Sequence, residues 1–455
     1  MKVVRYTAAT LVLAAALTGS HAAAQGTDSI IDLLVRKGIV TEREAKDLKT
    51  EADADLARAM NRANKTKVAS WIDEMKWSGD LRLRGEFFDN EDQANTVDRW
   101  RYRYRLRLGV ESKMKSWATV GLRLASGDAN DPVSTNESFD DTFQKDPLQI
   151  DAAYVIIKPP AWDWVSLTAG KMLQAPYYHP SFNSPLVYDN DATPEGVVGQ
   201  FVFNLDDEKR HSLFANVGGY LLNEIGASSD TDGYLLDAQV GGELRFGGEP
   251  KTPTVRVRAA GGLFLTDNVN IGAQQADSPN LGNAVDNTGN IVDDFEVVHV
   301  GGEIAWQISN KPFLGTPAIV TVSAEYVKNL ANGFDSLNQA STNLVNLSSA
   351  TEGYSGQISF GSARKKGEWQ LAYQYKYLEA DAVYDGLTDS DWGTGGTDRK
   401  GHVLRGSYNF QEWWQLGITA FFTEKVSNRG GPNTIAAANP DDTLLRVQID
   451  NVFKF

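Results

Sequence analysis

The stretch that most constrains this chain is residues 100–110, WRYRYRLRLGV. Trp100, Tyr102, Tyr104, Leu106, Leu108 and Val110 hold one parity, and Arg101, Arg103, Arg105 and Arg107 hold the other. A period of two belongs to a β-strand, because successive side chains point to opposite faces of a sheet. A helix would scatter both sets around its circumference. The strand therefore has one face without charge and one face that is nearly all guanidinium. In a soluble sandwich the apolar face is core and the arginines are solvated. In a membrane barrel the apolar face meets lipid and the arginines line a watery lumen.

The rest of the chain favours the barrel. Sixteen segments of about 8 to 14 residues alternate in character, the first at 76–88 and the last at 442–455, a length that suits strands tilted across a bilayer. Trp369, Leu371, Tyr373, Tyr375 and Tyr377 oppose Gln370, Gln374 and Lys376 in one of them. Connections after even segments are short, as at 112–116, 159–163 and 206–210. Those after odd segments are mostly long and rich in Asp, Asn, Gly and Ser, as at 127–147, 173–195 and 267–293. One rim with tight turns and one with long loops is the asymmetry of outer-membrane barrels, and a Greek-key sandwich has no reason to keep it. An even strand count puts both ends of the barrel on the short-turn, periplasmic side. The mean hydropathy of −0.35 does not argue against a barrel, which hides its apolar residues on alternate positions. Trp77, Trp100, Trp117, Trp164, Trp369 and Trp413 fall near segment ends, where interfacial girdles form.

The N-terminus reads differently. Lys2 and Arg5, a short apolar run at 10–17 and Ala22, Ala23 and Ala24 make the pattern of a secretory signal peptide over 1–24. Residues 25–74 are expected to form a periplasmic helical extension. A capping pattern at Thr41 and Glu44 opens a stripe of Ala45, Leu48, Ala52, Leu56, Met60 and Ala63, which suits a self-associating coil more than a plug of the lumen, or else a loosely docked linker. The barrel is expected over 75–455. The chain has no cysteine, which removes the disulfide-stapled secreted classes. No segment carries the run of about 18 apolar residues that a transmembrane helix needs.

Three stretches resemble the bacterial putative porins: WSGDLRLRGEFF at 77–88, LVYDNDATPEGVVGQF at 186–201 and the terminal LLRVQIDNVFKF. The lead LLVRKGIVTEREAKDL at 33–48 is similar to leaders on these proteins and on phosphate-selective porins. The resemblance implies an all-β, 16-stranded antiparallel transmembrane barrel in a Gram-negative outer membrane. It further implies a homotrimer set among lipid and lipopolysaccharide. The alternating last strand ending on Phe455 looks like the signal read by the barrel assembly machinery.

The expected site is the lumen. Arg82 and Arg84 on the first strand and Arg123 on the third share the inward parity of Arg101, Arg103, Arg105 and Arg107. On the lipid face each would cost about 2–4 kcal/mol near the midplane. Asp80, Glu86 and Glu111 are the local counter-charges of the same parity. By the resemblance, the proline-rich loop at 173–195 folds into the pore, so that Asp189, Asp191 and Glu195 face the arginine wall and a transverse field crosses the constriction. The expected function is passive diffusion of small hydrophilic solutes or ions, with anions preferred. The plainer alternative is that the arginines only solvate the lumen. A plugged barrel for apolar solutes and a structural or adhesive barrel remain as rivals. No HExxH, GxSxG, phosphate loop, nucleic-acid motif or EF-hand spacing is present, so neither catalysis nor a cofactor or metal is expected.

Overall fold

The computed structural model describes residues 69–455 apart from 90–97, 141, 181–183, 225–231, 270–280, 286–289, 333–349 and 428–442, together with Thr41 and Thr50. The expected signal peptide lies outside the described residues, as does the expected helical extension apart from Thr41, Thr50 and residues 69–74, the last three of which already belong to a strand. The chain divides into Met1–Asp73 and Glu74–Phe455, and the second unit carries the barrel.

Seventeen strands form one sheet: β1 (Ile72–Asp89), β2 (Arg99–Met114), β3 (Ala118–Ala125), β4 (Glu137–Ser138), β5 (Gln149–Ile157), β6 (Val165–Lys171), β7 (Glu195–Asn204), β8 (Ser212–Asn223), β9 (Gly233–Phe246), β10 (Val255–Asp267), β11 (Glu296–Gln307), β12 (Ile319–Asn329), β13 (Glu352–Gly361), β14 (Trp369–Leu378), β15 (Arg399–Gln411), β16 (Trp414–Lys425) and β17 (Leu444–Lys454). β4 is a two-residue piece of the β3–β5 connection that pairs with β2, so the wall has sixteen staves. Neighbours in sequence pair in turn, and β1 closes the ring by pairing with both β2 and β17. The closing seam runs from Asp80 opposite Lys454 to Asp89 opposite Leu445. At its foot Gly79 and Phe455 exchange backbone hydrogen bonds of 2.8 and 3.0 Å. Closure removes the free edge that a bilayer would not tolerate.

Each expected strand is present within a few residues, and the short–long rhythm of connections is that of the fold. The β2–β3 turn is tight because Lys115 and Ser116 both take left-handed backbone angles, φ 45° and 62°, as a primed hairpin turn requires. The pleat sorts the side chains as the alternation demands. Trp100 is 62% exposed on the outer face, where Leu108, Val120, Val240, Ile304 and Leu371 are also exposed. Arg105, on the inner face, is 8% exposed.

The inside is filled by connections. Tyr177, Leu186 and Tyr188 of the β6–β7 loop (172–194) and Val383 and Trp392 of the β14–β15 loop (379–398) bury against wall residues such as Phe264, Val297 and Leu378. This apolar core is what positions the charged residues of the opposite half of the lumen.

Candidate functional site: an arginine wall facing two inward loops

All seven arginines anticipated from parity lie on the inner face of β1, β2 and β3, and Arg446 of β17 joins them. Their partners fall in tiers. Near the turn side, Asp80 accepts from Arg105 Nη2 at 2.8 Å and from Arg107 Nε at 2.7 Å. Asp191, carried in on the β6–β7 loop, is 3.3 Å from Arg105 and 3.1 Å from Arg107. Arg123 pairs with Asp151 of β5.

Nearer the loop side, Arg84 grips Asp450 of β17 with Nε and Nη2 at 2.7 and 2.9 Å. Its Nη1 lies 2.9 Å from Asp391 of the β14–β15 loop. Glu86 accepts from Arg101 at 2.7 Å, from Arg446 at 2.5 Å and from Gln448 at 3.0 Å. Burial would raise the Asp391 carboxyl, but Arg84 and Arg446 beside it hold it well below the usual carboxylate range.

The remaining two arginines differ. Arg82 Nη2 donates to Asn136 Oδ1 at 2.5 Å, and Arg103 Nη2 donates to the Asn136 carbonyl at 3.0 Å. Neither has a carboxylate within ion-pair distance among the described residues, and the Nε of each is buried with no partner. Six of the eight arginines are thus ion-paired, sharing Asp80, Glu86, Asp151, Asp191, Asp391 and Asp450. Arg82 and Arg103 are the two of the eight without a carboxylate partner among the described residues.

Two cavities flank the paired tiers. One of about 580 Å³ opens towards the loops and is lined by Arg99, Arg101, Arg103, Asp131, Asp391 and Arg446. One of about 450 Å³ opens towards the turns and is lined by Asp80, Arg105, Arg107, Glu111, Arg123 and Lys454.

The three loop carboxylates expected to oppose the wall are placed in three environments. Asp191 meets Arg105 and Arg107. Asp189 turns away from the arginines and accepts from the backbone N–H of Ser390 at 2.8 Å and from its hydroxyl at 3.0 Å. Burial, with Asp389 and Asp191 close by, pushes the Asp189 carboxyl well above its ordinary value. Glu195 begins β7 and reaches Lys171 at 2.8 Å, with 64% of its side chain exposed. The expected acidic face is therefore narrowed to Asp191 and extended by Asp391, Asp450 and Asp151. The sequence held one signal for these. Arg446 and Asp450 share inward parity on the terminal strand, which must close against β1.

A barrel of sixteen antiparallel strands with apolar side chains outward and charge inward is a membrane-spanning channel of the outer-membrane type. A family model described as "Putative porin" matches residues 92–294 and 283–438, and the chain belongs to that family. Among solved structures, the chain is similar to a double mutant of the Rh. blastica porin. The identity is 12% and the TM-score 0.43, over 84% of this chain and 100% of that one. It is also similar to OmpT, an outer membrane protein of Vibrio cholerae, at 13% identity and a TM-score of 0.42, over 84% of this chain and 97% of that one. No curated protein matches the sequence.

Proposed function

We propose that this outer-membrane channel passes small hydrophilic solutes by diffusion and prefers anions. The observation that carries the preference is the pair Arg82 and Arg103, cationic groups on the lumen wall that share Asn136 instead of a carboxylate. An anion entering the loop-side cavity meets Arg99, Arg101 and Arg103 first. It then steps to Arg105, Arg107 and Arg123 by displacing fixed carboxylates from guanidinium groups that keep donors in reserve. The acidic net charge of −15 does not oppose this, since whole-chain charge is a poor guide to one constriction.

The apolar side chains inside the barrel bury one another and offer no surface to a solute, which speaks against a path for apolar compounds. In this reading the protein works as a homotrimer among outer-membrane lipid and lipopolysaccharide. It is inserted by the barrel assembly machinery through Phe455, and the N-terminal extension stays in the periplasm. Single-channel conductance in planar bilayers, with the reversal potential under a salt gradient, tests the reading. Steady conductance with anion preference is expected. Cation preference would remove the arginine selectivity, and no conductance from folded protein would remove the channel.

A further inference from the structure

The β6–β7 loop is seated on the wall far from the arginines, and the seat is built. A Cβ on Gly262 would lie 2.6 Å from the Tyr177 hydroxyl, and one on Gly301 would lie 2.7 Å from the Pro180 ring. The two glycines thus leave room for the loop at those points. Between them stand His179 of the loop, His299 of β11 and Glu325 of β12, with one ligand atom from each within 4.8 Å of the others. His299 is fully buried and Glu325 is 3% exposed.

The hydrogen bonds in place leave this cluster unfinished. His299 Nε2 is 3.2 Å from Glu325 Oε2, and its Nδ1 is 3.2 Å from the Tyr177 hydroxyl. The other Glu325 oxygen and His179 Nδ1 are buried with no partner. No Lys or Arg lies within ion-pair distance of Glu325 among the described residues. Two buried acceptors aimed into one cluster, the second Glu325 oxygen and His179 Nδ1, are what a cation would satisfy.

We infer that His179, His299 and Glu325 form a site for a divalent transition-metal ion of the zinc class, which pins the inward loop to the barrel wall. Two imidazoles and a carboxylate are a donor set that zinc accepts, with the fourth tetrahedral position left for water. With bonds of about 2.0–2.1 Å the edge of a tetrahedral site is about 3.4 Å, so the His299–Glu325 edge already fits. His179, on a loop, closes the remainder. The Nδ1–H of His299 then donates to Tyr177, which fixes the ring so that Nε2 faces the metal.

The test uses the full chain folded in detergent, stripped with chelator and titrated with Zn2+ by calorimetry in excess Ca2+, which occupies acidic surface sites. One Zn2+ per chain is expected, with affinity falling at least tenfold in His179→Ala and in Glu325→Gln and unchanged in His402→Ala, whose histidine is on the outer face. Co2+ bound to the wild type is expected to give the intense visible bands of tetrahedral coordination, which decides the matter without any variant that might misfold. No stoichiometric uptake by the wild type, octahedral Co2+ spectra, or uptake indifferent to both ligand substitutions would overturn the site. Because the readout is binding, it is independent of whether the barrel conducts.

Discussion

Asn136→Asp is the sharpest perturbation of the proposed selectivity. The substitution is isosteric and places a carboxylate where Arg82 Nη2 already stands 2.5 Å from the side-chain oxygen. It gives Arg82 and Arg103 one carboxylate to share and occupies the seat a permeating anion would use. Two unit charges about 4 Å apart interact by about 1 kcal/mol at the dielectric of water and about 4 kcal/mol at an effective dielectric of 20. The watery limit is the conservative one. An anion then loses about 1 kcal/mol and a cation gains about as much, so the permeability ratio moves towards cations by about 30-fold. The assay is the reversal potential of the reconstituted protein at about 0.1 M salt, where the Debye length is about 10 Å, and again near 1 M, where it is about 3 Å and the shift should shrink. Asn310→Asp is the control, since Asn310 is exposed in a turn and adds the same net charge outside the lumen. A reversal potential unchanged in Asn136→Asp, or shifted equally by Asn310→Asp, would refute the reasoning.

Three further outcomes are expected. Glu86→Ala removes the carboxylate shared by Arg101 and Arg446, leaves Arg446 buried and half-paired, and costs about 3–5 kcal/mol in urea unfolding followed by tryptophan fluorescence. Gly301→Val drives a side chain into the Pro180 ring and should lift the β6–β7 loop, seen as faster proteolysis within 172–194 and a changed conductance. Stability should also fall as pH rises from 5 to 7. Burial raises Asp385 to about 6 despite backbone N–H donors from Asn283 and Leu281, so its protonated form belongs to the folded state. That contribution is complete below the ordinary value near 3.8 and is lost as pH climbs through about 6. Between pH 5 and 7 the loss is about 1 kcal/mol, and Asp385→Asn should remove that part of the slope.

The wall of this protein is legible in its sequence because strand alternation is local: each residue's face follows from its neighbour's. That is why Arg82, Arg101 and Arg107 could be placed inside from parity alone. Loops carry no such rule. Nothing in the order of residues 186–195 separates Asp191, which meets two arginines, from Asp189, which turns under Ser390. Nor does it point to Asp391, which lies 307 residues from the Arg84 that it binds. The apolar residues of the β14–β15 loop, such as Val383 and Trp392, could have marked it as inward, because a solvent-facing loop has no use for a fully buried tryptophan.

The two halves of the lumen depend on each other. A carboxylate opposite an arginine wall shapes selectivity only if it cannot collapse freely onto that wall or swing away from it. Asp191 is held against both by the far side of the barrel. Its loop is tied down by Tyr188 to Asp237 of β9 at 2.9 Å, by Tyr178 to Gln239 at 2.9 and 3.1 Å, and by Pro185 to Lys376 of β14 at 2.8 Å. The fold also limits how much negative charge the loop presents. Asp189, two residues away, is held by Ser390 instead of by the arginines, and burial beside Asp389 raises its carboxyl well above its ordinary value. Had Asp189 faced Arg105 and Arg107 as Asp191 does, the carboxylates of that tier would have outnumbered its guanidinium groups, with Asp80 already there. The packing that immobilises the loop is therefore also what keeps a third carboxylate off that tier, and loosening it by substitution at Gly301 should weaken selectivity even though no charge is touched.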